Sequence, residues 1–124
     1  MSNFLREKET FLIIGIYMEV HRNLGAGLLE VICKDALEIE FSENNIKFER
    51  EKEFTIEYKN KILPHKFYAD FVINNDIILE VKAVKEFSSE HTAQVLNYMK
   101  LCKSQIGLLI NFQTKSLQIG RAHV

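Results

Sequence analysis

The first third of the chain has apolar residues at helical spacing. This pattern predicts a helix from Glu7 to Leu24 and a second helix from about Leu28 to Glu43, separated by the break Gly25-Ala26-Gly27. The positions of the second helix that are expected to face the core are Leu29, Ile32, Ala36, Leu37 and Phe41. Asn44-Asn45 then ends this helix.

After Asn44-Asn45 the pattern changes to the alternation typical of strands. Lys47–Glu53 and Phe54–Tyr58 alternate well enough to predict strand structure, followed by a turn at Lys59-Asn60-Lys61. Lys66–Ile73 and Ile77–Ala83 are β-rich runs on either side of a polar turn cluster, Asn74-Asn75-Asp76, and predict a hairpin.

The last part of the pattern predicts a helix and a buried strand. Ser88 or Ser89 caps a helix that runs to about Cys102, and the compact apolar run Ile106–Asn111 is typical of a buried strand. A strand, a helix and a strand in this order favour a right-handed parallel crossover. The predicted order is α-α-β-β-β-α-β, an α/β fold with one mixed β-sheet flanked by helices.

The predicted hairpin brings acidic side chains together. If Ile73 and Ile77 close the turn, Asp70 lies opposite Glu80, and Lys82 shares their face because side chains alternate along a strand. Tyr68 completes this polar face, and the opposite face is wholly apolar. A slip of one residue would move Asp70 to the other face, so the arrangement depends on the length of the turn.

Opposed carboxylates repel each other, and a bound cation offsets this repulsion. Asp70 and Glu80, with the carbonyl of Val81, suit Mg²⁺ (or Mn²⁺), which prefers oxygen ligands and needs only one or two carboxylates. Lys82 could then activate water or stabilise charge on a phosphate. The alternatives are that the two acids are ordinary solvated strand residues and that Lys82 simply forms an ion pair with one of them.

Two further segments could reach the same place. Glu30 lies in the first turn of the second helix and could be a third metal ligand, although the helix dipole alone favours an acid there. Gln94 and Tyr98 share a face of the later helix and could contact a phosphate or a base, or simply border solvent. His91 is interpreted as a solvent-facing residue, and His21 as a buried histidine with a hydrogen-bond partner.

Composition narrows the classes of function. The 124 residues are expected to form one domain, and a formal net charge of −1 gives no global field that would concentrate nucleic acid. Contact with nucleic acid would therefore need a local patch of lysines. The longest apolar run, Phe11 to Met18, is far too short to span a bilayer, and no signal-peptide layout is present, so we expect a cytoplasmic protein without a membrane partner. Cys33 and Cys102 are interpreted as buried thiols.

The final residues have an unusual sequence. Residues 119–124, IGRAHV, match one reading frame of a widely used sequencing-adapter oligonucleotide. We therefore expect a single domain over residues 1–118, followed by a non-native tail over residues 119–124. The alternative is a genuine short tail.

Taken together, several motifs resemble the GxxExxY family, a small branch of the PD-(D/E)XK nuclease-like superfamily. The resemblance covers about Ile13 to Leu117. The motifs that carry it are Val20-His21-Arg22, Leu24-Gly25, Gly27-Leu28-Leu29-Glu30, Asp70, Glu80-Val81-Lys82, His91, Gln94 with Tyr98, and residues 107–112 (GLLINF). Their ordered combination is a specific signature of the family, whereas Glu-x-Lys alone would be weak evidence for it.

The resemblance implies a restriction-endonuclease-like core and a metal-dependent nuclease site. By motif position, Glu30, Asp70, Glu80 and Lys82 would be its acidic and basic members, and Gln94 and Tyr98 its helical accessory residues. Two positions depart from the pattern. Cys33 stands where the family has its name-giving tyrosine, and Ala69 stands where the superfamily has a proline before the aspartate.

The leading hypothesis is a magnesium-dependent phosphodiesterase that acts on nucleic acid, with DNA as the expected substrate. Asp70, Glu80 and Glu30 would bind metal, and Lys82 would activate water. The alternatives are a non-catalytic module of the same fold that binds nucleic acid or a partner protein, and an assembly subunit with a vestigial acidic cleft. The small size of the chain favours a homodimer or a partner protein in either case.

Overall fold

The computed structural model describes residues 2–115 and 118–123, with side chains for residues 7–115 and 119–120. The helices are α1 (Ser2–Leu24), α2 (Glu30–Glu43) and α3 (Ser89–Cys102). The strands are β1 (Phe48–Phe54), β2 (Glu57–Tyr58), β3 (Lys61–Ile62), β4 (Phe67–Ile73), β5 (Ile77–Lys82), β6 (Ile106–Asn111) and β7 (Gln118–His123). None of the helices in these ranges combines the length and the hydrophobicity that crossing a membrane requires.

Five of these strands form one mixed sheet in the order β1-β4-β5-β6-β7. The pair β5 and β6 is parallel and is connected through α3, and the other neighbouring pairs are antiparallel. Helices α1 and α2 contribute to the larger core cluster, and α3 contributes to the smaller one. The predicted fold class, a mixed sheet flanked by helices with a parallel crossover, is confirmed.

Two details of the strand pattern differ from the prediction. The prediction that strand structure continues without a break from Phe54 to Tyr58 is wrong, because β1 ends at Phe54, whose ring stacks on Phe67 with centroids 5.0 Å apart. Residues 57–58 instead pair with residues 61–62 in a separate small hairpin, and Lys59 and Asn60 make its turn with φ of 48° and 66°. An isolated hairpin of this kind has too little apolar surface to be visible in a periodicity pattern.

The second difference is β7, a strand that the sequence pattern does not predict. It pairs with β6 from Asn111↔Gln118 to Ile106↔His123. Pairing through backbone groups at a sheet edge requires no particular side chains, which is why the pattern gives no signal. The expectation that residues 119–124 form a non-native tail stays a prediction, and Val124 lies outside the described residues.

The larger core lies between α1, α2 and the sheet. Tyr17, Leu37 and Phe41 pack there with Phe71 and Ile110, all fully buried. The smaller cluster lies under α3 and contains Val72, Ile78, Val95, Met99 and Leu109. Of the two cysteines, Cys33 is buried, Cys102 is half-buried, and both are free thiols.

The hairpin register agrees with the prediction where the two strands pair. Ile73 lies opposite Ile77, and Phe71 lies opposite Leu79. Asn74 and Asn75 turn the chain with φ of 53° and 63°, and the N–H of Asp76 donates to the carbonyl of Ile73 at 3.1 Å. Asparagine tolerates the left-handed region better than most residues, so this turn length follows from the sequence.

A buried asparagine fixes the chain where β5 and β6 end. The side chain of Asn111 accepts the N–H of Val84 at 3.1 Å and donates to the Val84 carbonyl at 2.8 Å. The hydroxyl of Tyr17 donates to the Asn111 carbonyl at 2.5 Å. These contacts tie the segment after Lys82 to β6 and to α1, so the end of β5 has a defined position.

The position of α3 over the sheet depends on Gly107. A Cβ atom built at Gly107 would lie 2.5 Å from Val95 Cγ1 and 2.6 Å from Met99 Sδ, whereas one at Gly120 would meet its nearest atom at 3.5 Å. We therefore expect Gly107→Ala to lower the free energy of unfolding by about 1–3 kcal/mol through overpacking.

The matched control is Gly120→Ala, which adds the same methyl group to the neighbouring strand. We expect it to change the free energy of unfolding by no more than about 0.5 kcal/mol. Urea unfolding followed by circular dichroism measures both values. Equal effects of the two substitutions would contradict the close packing of α3 on β6.

Candidate functional site

The site begins where β4 and β5 stop pairing through their backbones. The register between them ends at Phe71↔Leu79, one pair short of Asp70 and Glu80. Beyond this point the N–H of Asp70 donates to Glu80 Oε2 at 2.7 Å, and the N–H of Val81 donates to Asp70 Oδ2 at 2.8 Å. Side-chain carboxylates therefore take the place of backbone acceptors between the two strands.

The chain is distorted at this point, and the distortion changes which way side chains face. On the β1 side, Glu51 lies opposite the break and has a φ of 52°, in the left-handed region. Ala69 belongs to the cluster under α3, whereas Phe71 belongs to the cluster under α1 and α2. In a regular strand these two residues would share a face, so the expected alternation fails at Asp70. The structure still brings Asp70 and Glu80 together, but each carboxylate accepts a backbone N–H of the neighbouring strand.

Glu30 reaches the same strand from α2. It is the first residue of the helix, and its Oε1 accepts the N–H of Ala83 at 3.1 Å. Gly27, with a φ of 99°, turns the chain into the helix in a conformation that glycine adopts without strain. Val81 and Ala83 are two positions apart, so their N–H groups point to the same edge of β5. Asp70 and Glu30 thus come from different elements to one edge of the strand.

The direction of the neighbouring carbonyl groups follows from the same geometry. The carbonyl of Lys82 accepts the N–H of Phe112 at 2.8 Å, on the β6 side of β5. Successive carbonyls of a strand point in opposite directions, so the carbonyl of Val81 faces the edge that carries the two carboxylates. Carboxylate and carbonyl oxygens therefore share this edge, which we call the β5 edge: Glu30, Asp70 and the backbone of residues 81–83.

A lysine that the sequence analysis did not single out lies within the site. Lys34 Nζ is 3.1 Å from Asp70 Oδ1 and 2.5 Å from Glu51 Oε1. The side chains of Lys34 and Asp70 are only 13% and 15% exposed. Burial lowers the pKa of Lys34, but the hydrogen bond to Glu51 and the charge of Asp70 outweigh it, and the pKa is raised. The available sequence signal was its position four residues after Glu30, on the same helix face.

Glu80 lies in a very different environment from Asp70. It is 2% exposed. Burial, and secondly the charge of Asp70, raise the pKa of Glu80 to about 8, against the hydrogen bond from the Asp70 N–H and the charges of Lys82 and Lys34. Near pH 7 Glu80 is therefore mostly protonated. Lys82, the half-buried last residue of β5, lies within electrostatic reach of this acid.

Gln94 and Tyr98 lie together on α3, as their spacing predicts. Gln94 Nε2 donates to the Tyr98 hydroxyl at 3.0 Å, and the Tyr98 ring stacks on Phe67 with centroids 4.6 Å apart. Burial, followed by the charge of Glu80, raises the pKa of Tyr98. This helix face therefore borders the acidic residues, although none of the described hydrogen bonds joins Gln94 or Tyr98 to them.

The two histidines have structural partners. His91 Nδ1 accepts the N–H of Ser88 at 3.0 Å and so completes the N-terminal cap of α3. His21 Nε2 lies 2.7 Å from the carbonyl of Thr114. Cys33 is fully buried, and burial followed by the charge of Glu30 raises its pKa.

The residues present suit a hard divalent cation only in part. Among the side chains described, no three His, Cys, Asp or Glu residues lie close enough to share one ion. A cage of three carboxylates is therefore not assembled, and Glu80 faces the Asp70 N–H instead. Mg²⁺, however, needs only one or two carboxylates and keeps several waters. The donors on the β5 edge are oxygens, and a cation, the Lys34 ammonium, already lies against Asp70.

The raised pKa of Glu80 predicts a pH dependence of stability. The folded protein keeps this proton up to about pH 8, whereas an unfolded chain loses it near its ordinary pKa of 4.5. The folded state therefore binds more protons in this range, and stability falls as the pH rises from about 4.5 to about 8. Glu80→Gln keeps a hydrogen-bond acceptor for Asp70 and removes the titration. We expect its stability to lie close to that of the wild type near pH 5 and to exceed it by roughly 4 kcal/mol at pH 9.

Urea unfolding at a series of pH values in the absence of divalent metal measures this difference. The control is Glu49→Gln, which changes an exposed acid on β1 and should follow the wild-type curve. If the curve of Glu80→Gln runs parallel to that of the wild type, the protonated state of Glu80 is refuted.

Comparison with known proteins places this geometry in a family. No curated protein is significantly similar to the chain. A solved structure described as the crystal structure of SSO0001 is 24% identical with a TM-score of 0.59, over 74% of this chain and 49% of that one. The chain thus spans about half the length of that protein, and the likeness concerns the fold. The narrower GxxExxY assignment stays a prediction. The family model for the PD-(D/E)XK nuclease superfamily matches residues 7–122, nearly the whole sequence, and the chain belongs to that superfamily.

Proposed function

We propose that this protein is a metal-dependent nuclease that hydrolyses phosphodiester bonds, with DNA as its substrate and Mg²⁺ or Mn²⁺ as its cofactor. Membership of the superfamily supports a nuclease-type function on nucleic acid. The observation that carries the proposal is the convergence of Asp70 and Glu30 on one edge of β5, next to Lys82. These residues come from three separate elements, so their proximity is a property of the fold.

The metal would be held by oxygen atoms of the β5 edge. Asp70 and the carbonyl of Val81 are the central ligands in this proposal, with Glu80 and Glu30 as the further carboxylates. When bound, a divalent cation would polarise the phosphate and lower the pKa of a bound water. Glu80 is mostly protonated near pH 7, so its participation as a ligand would require loss of that proton.

Lys82 is proposed as the basic group of the site. It lies at the end of β5, where the contacts of Asn111 and Phe112 fix the backbone on either side of Ala83. An ammonium held there would orient the attacking water and stabilise the extra negative charge of the pentavalent phosphate. In this role the backbone of β5 can stay where it is, because only the Lys82 side chain has to move to reach the substrate.

Gln94 and Tyr98 are proposed to contact the substrate. Their mutual hydrogen bond and the stacking of Tyr98 on Phe67 restrict the movement of both side chains. An amide and a hydroxyl are suitable donors to a phosphate, and the half-buried Tyr98 ring could support a base. The overall charge of −1 means that such local contacts, with nearby lysines, must supply the attraction to nucleic acid.

A non-catalytic binding module of the same fold is the second candidate. The contact of Lys34 with Asp70 favours it, because an ammonium already neutralises the carboxylate that would bind metal. In that case the fold would bind nucleic acid or a partner protein without cleaving it. A homodimer or a partner protein that completes the substrate surface is compatible with either candidate.

Cleavage assays separate the two candidates. We expect the wild type with Mg²⁺ or Mn²⁺ to cleave at least one of a panel of labelled single-stranded, duplex and branched DNA and RNA substrates. Asp70→Asn and Lys82→Ala should each lower the rate by at least about 100-fold, because each removes a group that acts on the reacting phosphate.

The control for the cleavage assay is Asp35→Asn, which removes an exposed acid of α2 that pairs with Arg50 and should leave the rate within about twofold. Calorimetric titration with Mg²⁺ should show binding to the wild type and none to Asp70→Asn. If the wild type binds the substrates but cleaves none of them, and if Mg²⁺ produces no heat, the nuclease proposal fails and the binding module replaces it.

A further inference from the structure

The contact between Lys34 and Asp70 joins a helix to the distorted part of the sheet. Lys34 Nζ lies between two carboxylates, Asp70 Oδ1 at 3.1 Å and Glu51 Oε1 at 2.5 Å. The other oxygen of Asp70 accepts the N–H of Val81. The carboxylate of Asp70 is therefore engaged on both oxygens, by a backbone dipole on one and by a positive charge on the other.

We propose that Lys34 is a displaceable counter-ion of the metal site: its ammonium neutralises Asp70 when no metal is bound, and a divalent cation at Asp70 displaces it from Asp70, so that it pairs with Glu51 alone. This inference rests on the proposed function, because it concerns the same site. It adds a residue from α2 that sets the affinity of the site for the cation.

Electrostatic repulsion couples metal binding to the position of the Lys34 ammonium. Lys34 and Asp70 are mostly shielded from water, and charges in such surroundings interact more strongly than at the surface. A divalent cation binds carboxylate oxygen at about 2.1 Å, so an ammonium that stayed against the same group would lie within a few ångströms of it. Two cations at that separation repel each other. Binding of the metal is therefore coupled to departure of the ammonium.

Lys34 also has a second ion-pair partner, Glu51. Glu51 is 47% exposed, belongs to β1, and already accepts a hydrogen bond from Lys34. Its left-handed backbone lies where the pairing of β1 with β4 is interrupted, opposite Asp70. When Asp70 takes a metal ion, the ammonium keeps this partner and needs only a small rotation of a flexible stem. The charge thus remains within the site and is not left without a partner.

The two contacts have opposite effects on metal affinity. Contact with Asp70 competes with the metal, whereas contact with Glu51 draws the ammonium away and favours the metal. Removing the charge of Lys34 should therefore tighten metal binding, and removing the charge of Glu51 should weaken it. If Lys34 and Glu51 only supported the fold, removing their charges would not change the metal affinity in opposite directions.

The experiment measures the affinity for Mn²⁺ from the signal of free Mn²⁺ in electron paramagnetic resonance. We expect Lys34→Met to tighten binding by about threefold to tenfold, and Glu51→Gln, which changes the more exposed partner, to weaken it by about twofold to fivefold. The control is Lys66→Met, which removes the same charge from a pair with Glu53 and should change the affinity by less than about twofold.

A second readout does not involve metal. In the metal-free protein, Lys34→Met leaves Asp70 without its counter-charge, so the urea midpoint should fall clearly below that of the wild type and of Lys66→Met. Saturating Mn²⁺ should then raise the midpoint of Lys34→Met by more than it raises that of the wild type. Lys34→Gln, which keeps a hydrogen-bond donor without charge, should shift the affinity in the same direction and replaces Lys34→Met if that variant does not fold.

The outcomes distinguish this inference from the proposal on which it rests. If the wild type binds Mn²⁺, Asp70→Asn does not, and Lys34→Met and Lys34→Gln bind no more tightly than the wild type, the counter-ion role is overturned and the metal site stands. If the wild type has no Mn²⁺ site that depends on Asp70, the metal site itself is overturned, and the counter-ion role with it.

Discussion

The exchange of hydrogen-bond partners between β4 and β5 is the interaction on which the candidate site depends. The N–H of Asp70 donates to Glu80, and the N–H of Val81 donates to Asp70. Backbone donors in a sheet need acceptors, and here two carboxylates supply them. Backbone pairing between β4 and β5 ends at that point, and Glu30 from α2 reaches the N–H of Ala83 just beyond β5. A sheet that paired regularly through these residues would have no room for a ligand.

The same geometry gives the acids different electrostatic states. Glu80 is deeply buried, and its raised pKa keeps it mostly protonated near pH 7. Asp70 instead has the Lys34 ammonium beside it. Two neighbouring carboxylates thus avoid mutual repulsion in different ways, one by holding a proton and the other by pairing with a cation. A divalent metal would have to compete with both the proton and the ammonium, because each acid has its own partner where the sequence led us to expect a shared ion.

Much of the fold was predictable because its signals are local. Asn74 and Asn75 specify a short turn, and the apolar residues beyond it leave one register that buries Phe71 and Leu79. The site was predictable only in part. Asp70 and Glu30 do approach β5, which carries Glu80, but periodicity assumes regular alternation and could not anticipate the left-handed Glu51 or the change of face at Asp70. Lys34 was missed because its partner lies 36 residues away along the chain.

The most direct test is nuclear magnetic resonance of the ¹⁵N-labelled protein during titration with a small amount of Mn²⁺. Paramagnetic broadening depends on distance to the ion, so the amide signals report where it binds. The account predicts that the amides of Asp70, Val81 and Ala83 broaden first, because their N–H groups donate to the carboxylates proposed as ligands. Early broadening around the exposed acids of α2, with these three amides unchanged, would contradict a metal site on the edge of β5.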